Sequence, residues 1–176
     1  MEINFILEQK RRPILRKWFE LTLEDYPADS IGFFEREKDR FANPVGYTLQ
    51  SGTEVLYDFL IDKTDFENVE KALDNIVRMR AVQDLAPSQA IAFVFLLKKA
   101  VRQELDDDIR KNNISPVELL EYESKIDDLA RFSFDIYMKC REKINELRAG
   151  KMTNLACLSR AETKPSSDIH EPEDSC

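Results

Sequence analysis

The sequence has few of the residues that break regular structure, with 4 glycines and 7 prolines in 176 residues. Strand-rich folds need frequent turns, so this scarcity favours long helices. Hydrophobic residues make up 43% of the chain, which is enough for one core and excludes disorder throughout. The length is that of about one domain.

Histidine is nearly absent, since the one histidine, His170, lies close to the C-terminus. Neither a Ser-His-Asp triad nor a two-histidine metal site can therefore form in the core. The sequence also contains no glycine-rich phosphate loop and no HExxH motif. We predict a protein that is not an enzyme and holds no cofactor, and a haem bound through a core histidine is excluded on the same ground.

The acidic run at Asp106, Asp107 and Asp108 is one group that could hold a divalent cation. Consecutive residues of a helix point in different directions, so a solvated helix end is the simpler interpretation. No metal site is predicted.

The three cysteines, Cys140, Cys157 and Cys176, form no CxxC motif and indicate reduced thiols in a cytoplasmic protein. The longest apolar run, residues 90–97, is too short to cross a bilayer. Glu2 and Asn4 interrupt the start of the chain, which does not fit a signal peptide. We expect no transmembrane segment.

Acidic residues outnumber basic ones, 34 against 26, and the formal net charge is -8. Nucleic-acid-binding domains gather positive charge to displace counterions, so no nucleic acid is expected as a partner. One basic cluster near the start of the chain is an exception. It is interpreted as a solvated helix face or, alternatively, as a contact surface for an acidic protein or a membrane. Its residues are Lys10, Arg11, Arg12, Arg16 and Lys17.

Hydrophobic periodicity predicts an all-α bundle of about five to six helices. The first stretch, residues 3–26, contains Pro13, which is best tolerated in a first helical turn. We therefore expect a short leading helix and a second helix that begins near Pro13. Residues 28–45 are the least regular part of the chain body. Further helices are predicted over residues 47–61, 65–81 and 88–110.

The clearest helix start is Ser115-Pro116-Val117-Glu118, which has the pattern of a capping box. The long helix that it opens is predicted to end at Ala149, before Gly150. Residues 1–150 then form the helical domain, and the acidic, Ser- and Pro-containing residues 151–176 form a disordered tail. An apolar stripe along the long helix predicts a face for a partner or a dimer. Its residues are Ile126, Leu129, Ser133, Ile136, Cys140, Ile144 and Leu147.

Two further groups of residues each allow a structural and a functional interpretation. The first is a structural corner between two helices or, alternatively, a site for a small anion or a docking partner at a helix N-terminus; its residues are Arg78, Arg80, Asp84 and Ser88. The second is a set of core aromatics or, alternatively, the lining of an apolar pocket; its residues are Trp18, Tyr57, Phe93 and Phe95.

Two sequence blocks carry a resemblance to a known family. They are Arg-Phe-Ala-Asn-Pro-Val-Gly at residues 40–46 and Ile-Val-Arg-Met-Arg-Ala-Val-Gln-Asp-Leu-Ala-Pro-Ser-Gln-Ala at residues 76–90, followed by Leu96-Leu97-Lys98. Together they resemble the N-terminal domain of the RsbT co-antagonist RsbRD family over about residues 10–147. The resemblance implies a globin-like helical fold, usually without haem, that dimerises and serves as the sensory part of bacterial stress signalling.

Members of that family usually continue into a regulatory output domain, and from this sequence we expect no such STAS domain after the long helix. We therefore expect a free-standing regulator that acts through protein contacts, as a homodimer and with a further regulatory partner. Its role is expected in stress response or in respiratory regulation. The alternative is a protein that binds a lipid or another small apolar ligand in a globin-like cavity without haem.

Overall fold

A computed structural model describes residues 3–83 and 85–161, and it describes side chains as far as residue 150. These residues form eight helices and no strand, which confirms the all-α class and the long C-terminal helix. The helices are α1 (Ile3–Gln9), α2 (Arg11–Leu23), α3 (Ala28–Arg36), α4 (Pro44–Leu60), α5 (Phe66–Val82), α6 (Pro87–Glu104), α7 (Asp106–Arg110) and α8 (Pro116–Ala161). The expectation of five to six helices missed α3 and α7.

The start of the chain folds as the position of Pro13 predicts. Helix α1 ends at Gln9, and α2 begins at Arg11, so Pro13 lies in the first turn of α2. A proline there loses no intrahelical hydrogen bond, because the first amide groups of a helix have no partner within it. Helix α2 then buries Ile14, Trp18 and Leu21.

Helix α3 lies where the sequence is least regular. It begins after Pro27, which is the N-cap residue, and none of its nine residues is buried. A helix without a buried stripe gives no hydrophobic periodicity, and for that reason the sequence pattern did not predict it.

Helices α4 and α5 begin at side-chain caps and pack closely. The Oδ1 atom of Asn43 accepts a hydrogen bond from Gly46 N at 2.8 Å, and that of Asp65 accepts one from Asn68 N at 3.0 Å. The cap at Asp65 confirms the predicted start of α5. A Cβ atom at Gly52 of α4 would lie 2.5 Å from Cδ1 of Ile76 in α5, so the glycine permits the close approach.

The predicted helix over residues 88–110 is two helices, because α6 ends at Glu104 and α7 follows from Asp106. The capping group of α8 is present: Glu118 Oε2 accepts from Ser115 N at 3.1 Å, and Ser115 Oγ accepts from Val117 N at 3.2 Å.

The predicted end of α8 at Ala149 is wrong, since the helix continues through Gly150 to Ala161. A single glycine costs a helix only about 1 kcal/mol, and the Met, Leu, Ala and Arg residues that follow are good helix formers. Residues 151–161, which we expected in a disordered tail, are therefore helical. His170 and Cys176 lie outside the described residues.

The chain divides into two units, Met1–Cys140 and Arg141–Cys176. The first unit holds the apolar core, and two buried side chains there have their polar ends satisfied. Trp18 Nε1 donates to the carbonyl oxygen of Phe93 at 2.6 Å, and Tyr57 Oη donates to that of Leu7 at 2.9 Å. These bonds join α2 to α6 and α4 to α1 inside the core.

Candidate functional site

The apolar stripe predicted as a contact face on α8 belongs largely to the core of the chain. Four of its residues are buried in the single chain and are not available to a second molecule: Ile126, Leu129, Ser133 and Ile136. Cys140 and Ile144 are half-buried, and Leu147 is 58% exposed. The near-heptad spacing reflected packing within the domain, because a core-facing stripe and a coiled-coil stripe have almost the same period.

A different side of α8 carries exposed apolar residues. Leu120 is 65% exposed, Phe134 41% and Met138 40%. At 3.6 residues per turn these three positions lie within about 20° of Asp127 around the helix axis. They therefore form one line along the surface of α8.

Helix α6 lies antiparallel to this part of α8, and two ion pairs fix the register. Lys98 Nζ lies 2.6 Å from Oδ1 of Asp127. One turn further along each helix, Arg102 Nε and Nη2 lie 2.6 Å and 2.9 Å from the two carboxylate oxygens of Glu123.

The same register brings an exposed aromatic residue of α6 next to the line on α8. Phe95 is 45% exposed and precedes Arg102 by two turns, so it faces the part of α8 just before Phe134. We call the exposed residues of this surface the α6/α8 face; they are Phe95, Leu120, Phe134 and Met138.

Two ion pairs lie beside the α6/α8 face. The two cations Lys98 and Arg102 are paired with the two anions Asp127 and Glu123. These pairs add no net charge to the face, in contrast to the whole chain with its charge of -8.

The predicted corner between α5 and α6 is organised around Arg80, which is completely buried. Its Nη2 atom lies 2.5 Å from Oδ2 of Asp25 and donates to the carbonyl oxygen of Gln89 at 2.9 Å. The guanidinium carbon also lies 5.7 Å from the ring centroids of Tyr26 and Phe93. Arg80 thus connects the end of α2 with α5 and the first turn of α6.

Arg78 and Ser88 do not converge on Arg80 to form a shared site. Arg78 is exposed and pairs with Asp74 on its own helix at 2.6 Å. Ser88 is exposed, and the N-cap position of α6 is Ala86, so Ser88 does not cap this helix. Gln89 Oε1 accepts from Ala86 N instead, at 3.2 Å. Asp84 lies outside the described residues.

The four aromatics proposed as a pocket lining differ in their exposure to solvent. Trp18, Tyr57 and Phe93 are completely buried, whereas Phe95 is at the surface. The hydrogen bonds of Trp18 and Tyr57 hold these rings in the packed core. A ligand pocket lined by all four residues stays a prediction.

A shallow groove that the sequence did not indicate lies between α8 and the α4–α5 connection. Its volume is about 230 Å³, and Phe59, Phe66, Leu129 and Phe132 line it. The ring of Phe66 contacts both neighbouring rings, with centroid distances of 6.0 Å to Phe59 and 5.2 Å to Phe132. The sequence pattern did not predict this cluster, because the groove depends on the packing of three separate elements.

Thiol and metal chemistry find little support in the described part of the chain. Burial raises the pKa of the Cys140 thiol, so it stays protonated near neutral pH and is a poor nucleophile. Among the described residues no group of three or more His, Cys, Asp or Glu side chains is placed to hold a metal ion. In the same residues, no helix is apolar enough over the necessary length to span a membrane.

The family model of the RsbT co-antagonist protein rsbRD N-terminal domain matches residues 12–151, most of the chain. The chain belongs to this family. Membership indicates a regulatory or signalling role and agrees with the resemblance carried by the two sequence blocks.

In this RsbRD N-terminal domain, both blocks lie at helix boundaries. Residues 40–46 contain the cap at Asn43 and the first turn of α4. Residues 76–90 contain the buried Arg80 and the start of α6. The two blocks that carry the family resemblance therefore form mainly two helix boundaries.

An uncharacterized protein of Archaeoglobus fulgidus is 27% identical to this RsbRD N-terminal domain over 141 residues, which is 78% of this chain and 82% of the relative. No solved structure matches the chain at a significant level. The globin-like shape implied by the resemblance stays a prediction.

Proposed function

We propose that the chain is a non-catalytic regulatory domain that acts through protein–protein contacts and forms a homodimer through the α6/α8 face. The observation that carries the proposal is the exposure of Phe95, Leu120, Phe134 and Met138 on one pair of helices. Scattered exposed apolar residues are normal, but a group of them on one rigid surface is typical of an interaction site.

A second copy of the chain is the occupant that the charges favour. Two chains of net charge -8 repel each other least where the surfaces that meet carry paired charges. The pairs Lys98–Asp127 and Arg102–Glu123 add no net charge to the α6/α8 face. Two antiparallel helices from each copy would then meet as four packed helices, which is a common form of symmetric association.

The signalling role follows from the family together with this surface. A regulatory partner protein would bind the dimer, in stress response or in respiratory regulation. The signal would act by changing contacts and not by chemistry on a substrate.

Light scattering at micromolar concentration tests the homodimer. We expect the unmodified protein to have twice the chain mass of 20.6 kDa. The double variant Phe134→Glu and Met138→Glu should have the mass of one chain, because it places charges in the centre of the face. The matched control Phe41→Glu changes a side chain that is 83% exposed in the turn between α3 and α4 and should stay dimeric.

Circular dichroism must show that the double variant keeps its helix content and melting temperature. A single-chain mass for the unmodified protein at every concentration would contradict the homodimer. A double variant that remains a dimer would contradict the assignment of the face.

A further inference from the structure

A groove between α2 and α4 is positively charged, whereas the chain as a whole is negatively charged. It has a volume of about 330 Å³ and is lined by four cationic side chains and one carboxylate, Glu54. The cations are Arg11, Arg12, Arg16 and Lys38. In a chain of net charge -8, such a concentration of positive charge in a concave surface attracts an acidic ligand.

One of the four cations is fixed in the wall of the groove. Arg11 Nε and Nη2 lie 2.8 Å and 3.0 Å from the two carboxylate oxygens of Asp58, and this hydrogen bond is the main reason why the pKa of Arg11 is raised. The bidentate pair joins α2 to α4 and holds the groove open at this end.

The other three cations are available to a ligand. Arg16 is 83% exposed and pairs only with Glu20 on its own helix, a contact that is weak in water. Lys38 donates to a neutral acceptor, Oε1 of Gln50, at 3.0 Å. Arg12 is exposed and has no ion-pair or hydrogen-bond partner among the described residues.

Between these cations the groove is apolar. Leu15 and Phe19 lie on the same face of α2 as Arg12 and Arg16 and are half-buried. The Lys38 ammonium lies 5.9 Å from the centroid of the Phe19 ring. The surface thus combines an apolar strip with cations along its edges.

We infer that this basic groove binds an acidic peptide segment of a partner protein, with carboxylates at Arg12, Arg16 and Lys38 and an apolar side chain on Leu15 and Phe19. From Arg12 to Phe19 the groove follows eight residues of α2, a rise of about 10 Å. That length corresponds to about three residues of extended chain.

A peptide fits this groove better than other polyanions do. A lipid surface is flat and does not reach the floor of a concave site. Nucleic acid carries phosphates along its whole length, so it would extend past the few cations of the groove onto a chain of net charge -8, whereas a short peptide can place its carboxylates at the cations alone. The inference concerns α2 and α4 and does not depend on the α6/α8 face.

Fluorescence anisotropy with a labelled peptide of Asp, Glu and Leu residues tests the inference. The full chain should bind it at low ionic strength, more weakly as salt is added, because both partners are charged. Arg12→Glu/Arg16→Glu should lower the affinity at least about tenfold. The matched control Arg78→Glu/Arg110→Glu makes the same change in net charge at exposed arginines of α5 and α7 and should lower it less than about twofold.

Two altered peptides define the chemistry of the site. A peptide with Asn and Gln in place of the acids should not bind, and one with Ala in place of Leu should bind more weakly. Equal losses in the two double variants would overturn the inference, since net charge alone would then explain binding. Tighter binding to phosphatidylserine vesicles or to single-stranded DNA than to the acidic peptide would also overturn it.

Discussion

Arg80 and Asp25 form an ion pair in which one partner is completely buried and the other is not: Nη2 of Arg80 lies 2.5 Å from Oδ2 of Asp25, whose side chain is 30% exposed. Two more nitrogens of Arg80, Nε and Nη1, are buried without a partner in the described part of the chain. The pair joins α5 to the residues that follow α2, so it stabilises the corner and is not displayed to a partner.

Replacing Arg80 should therefore destabilise the fold. Loss of one partner of a buried ion pair typically costs about 3 to 5 kcal/mol, and we expect about 2 to 3 kcal/mol for Arg80→Ala because Asp25 remains partly hydrated. Urea unfolding followed by circular dichroism measures the change. Arg78→Ala, at the exposed arginine two residues earlier, is the control and should leave the midpoint unchanged. An unchanged midpoint for Arg80→Ala would contradict this structural role and favour a docking site at the corner.

Gly32 of α3 and Gly52 of α4 should respond in opposite ways to alanine. Gly52→Ala would place its Cβ 2.5 Å from Cδ1 of the buried Ile76. We expect a net loss of about 1 to 2 kcal/mol, because overpacking exceeds the gain in helix propensity. At Gly32 the nearest atom is Arg36 Nη2 at 3.6 Å, so Gly32→Ala should stabilise by about 0.5 to 1 kcal/mol. Thermal melting of both variants measures the two stability changes. A stabilising Gly52→Ala would mean that α4 and α5 pack less closely than the structure shows.

The buried tyrosines Tyr57 and Tyr122 differ in how their hydroxyl groups are satisfied. Tyr57 Oη donates to Leu7 O, whereas Tyr122 Oη has no partner in the described residues. Tyr57→Phe should cost about 1 kcal/mol, and Tyr122→Phe should be neutral or stabilising, since it removes a buried unsatisfied group. Urea midpoints of the two variants test the contrast. Equal losses would indicate that Tyr122 has a partner after all.

The same tyrosines predict a loss of stability in alkali. Burial raises the pKa of Tyr57 and Tyr122 well above the ordinary value, whereas tyrosine side chains in the unfolded chain ionise near pH 10. Above about pH 10 the unfolded state binds fewer protons than the folded state, so the free energy of unfolding falls as the pH rises. Unfolding midpoints measured from neutral to alkaline pH should show this fall, and it should be smaller in Tyr122→Phe. A flat profile would contradict the burial of these phenols.

Local signals in the sequence predicted much of the fold. Pro13, Asp65 and the Ser115–Glu118 group marked helix starts that the structure places at or within three residues of them. These signals work because caps and prolines act on neighbouring amide groups and need no tertiary context. Helix α3 was not predicted because none of its residues is buried. The end of α8 was placed wrongly at Gly150, because one glycine does not stop a helix with good formers on both sides.

The candidate site was harder to predict because it depends on which side of α8 meets the core. The sequence identified a real apolar stripe at Ile126, Leu129 and Ile136, but periodicity cannot distinguish a core stripe from a contact face. Phe95 and Phe134 come from separate helices, and only the register set by Lys98–Asp127 places them on one surface.

Hydroxyl-radical footprinting of the unmodified protein tests the α6/α8 face most directly, because it measures the solvent access of individual Met and Phe side chains. In the single chain Met138 is 40% and Phe134 41% exposed, and Phe41 is an exposed reference at 83%. We predict that oxidation of Met138 and Phe134 slows as the protein concentration rises, while that of Phe41 stays constant. Oxidation rates of Met138 and Phe134 that do not change with concentration would contradict the account.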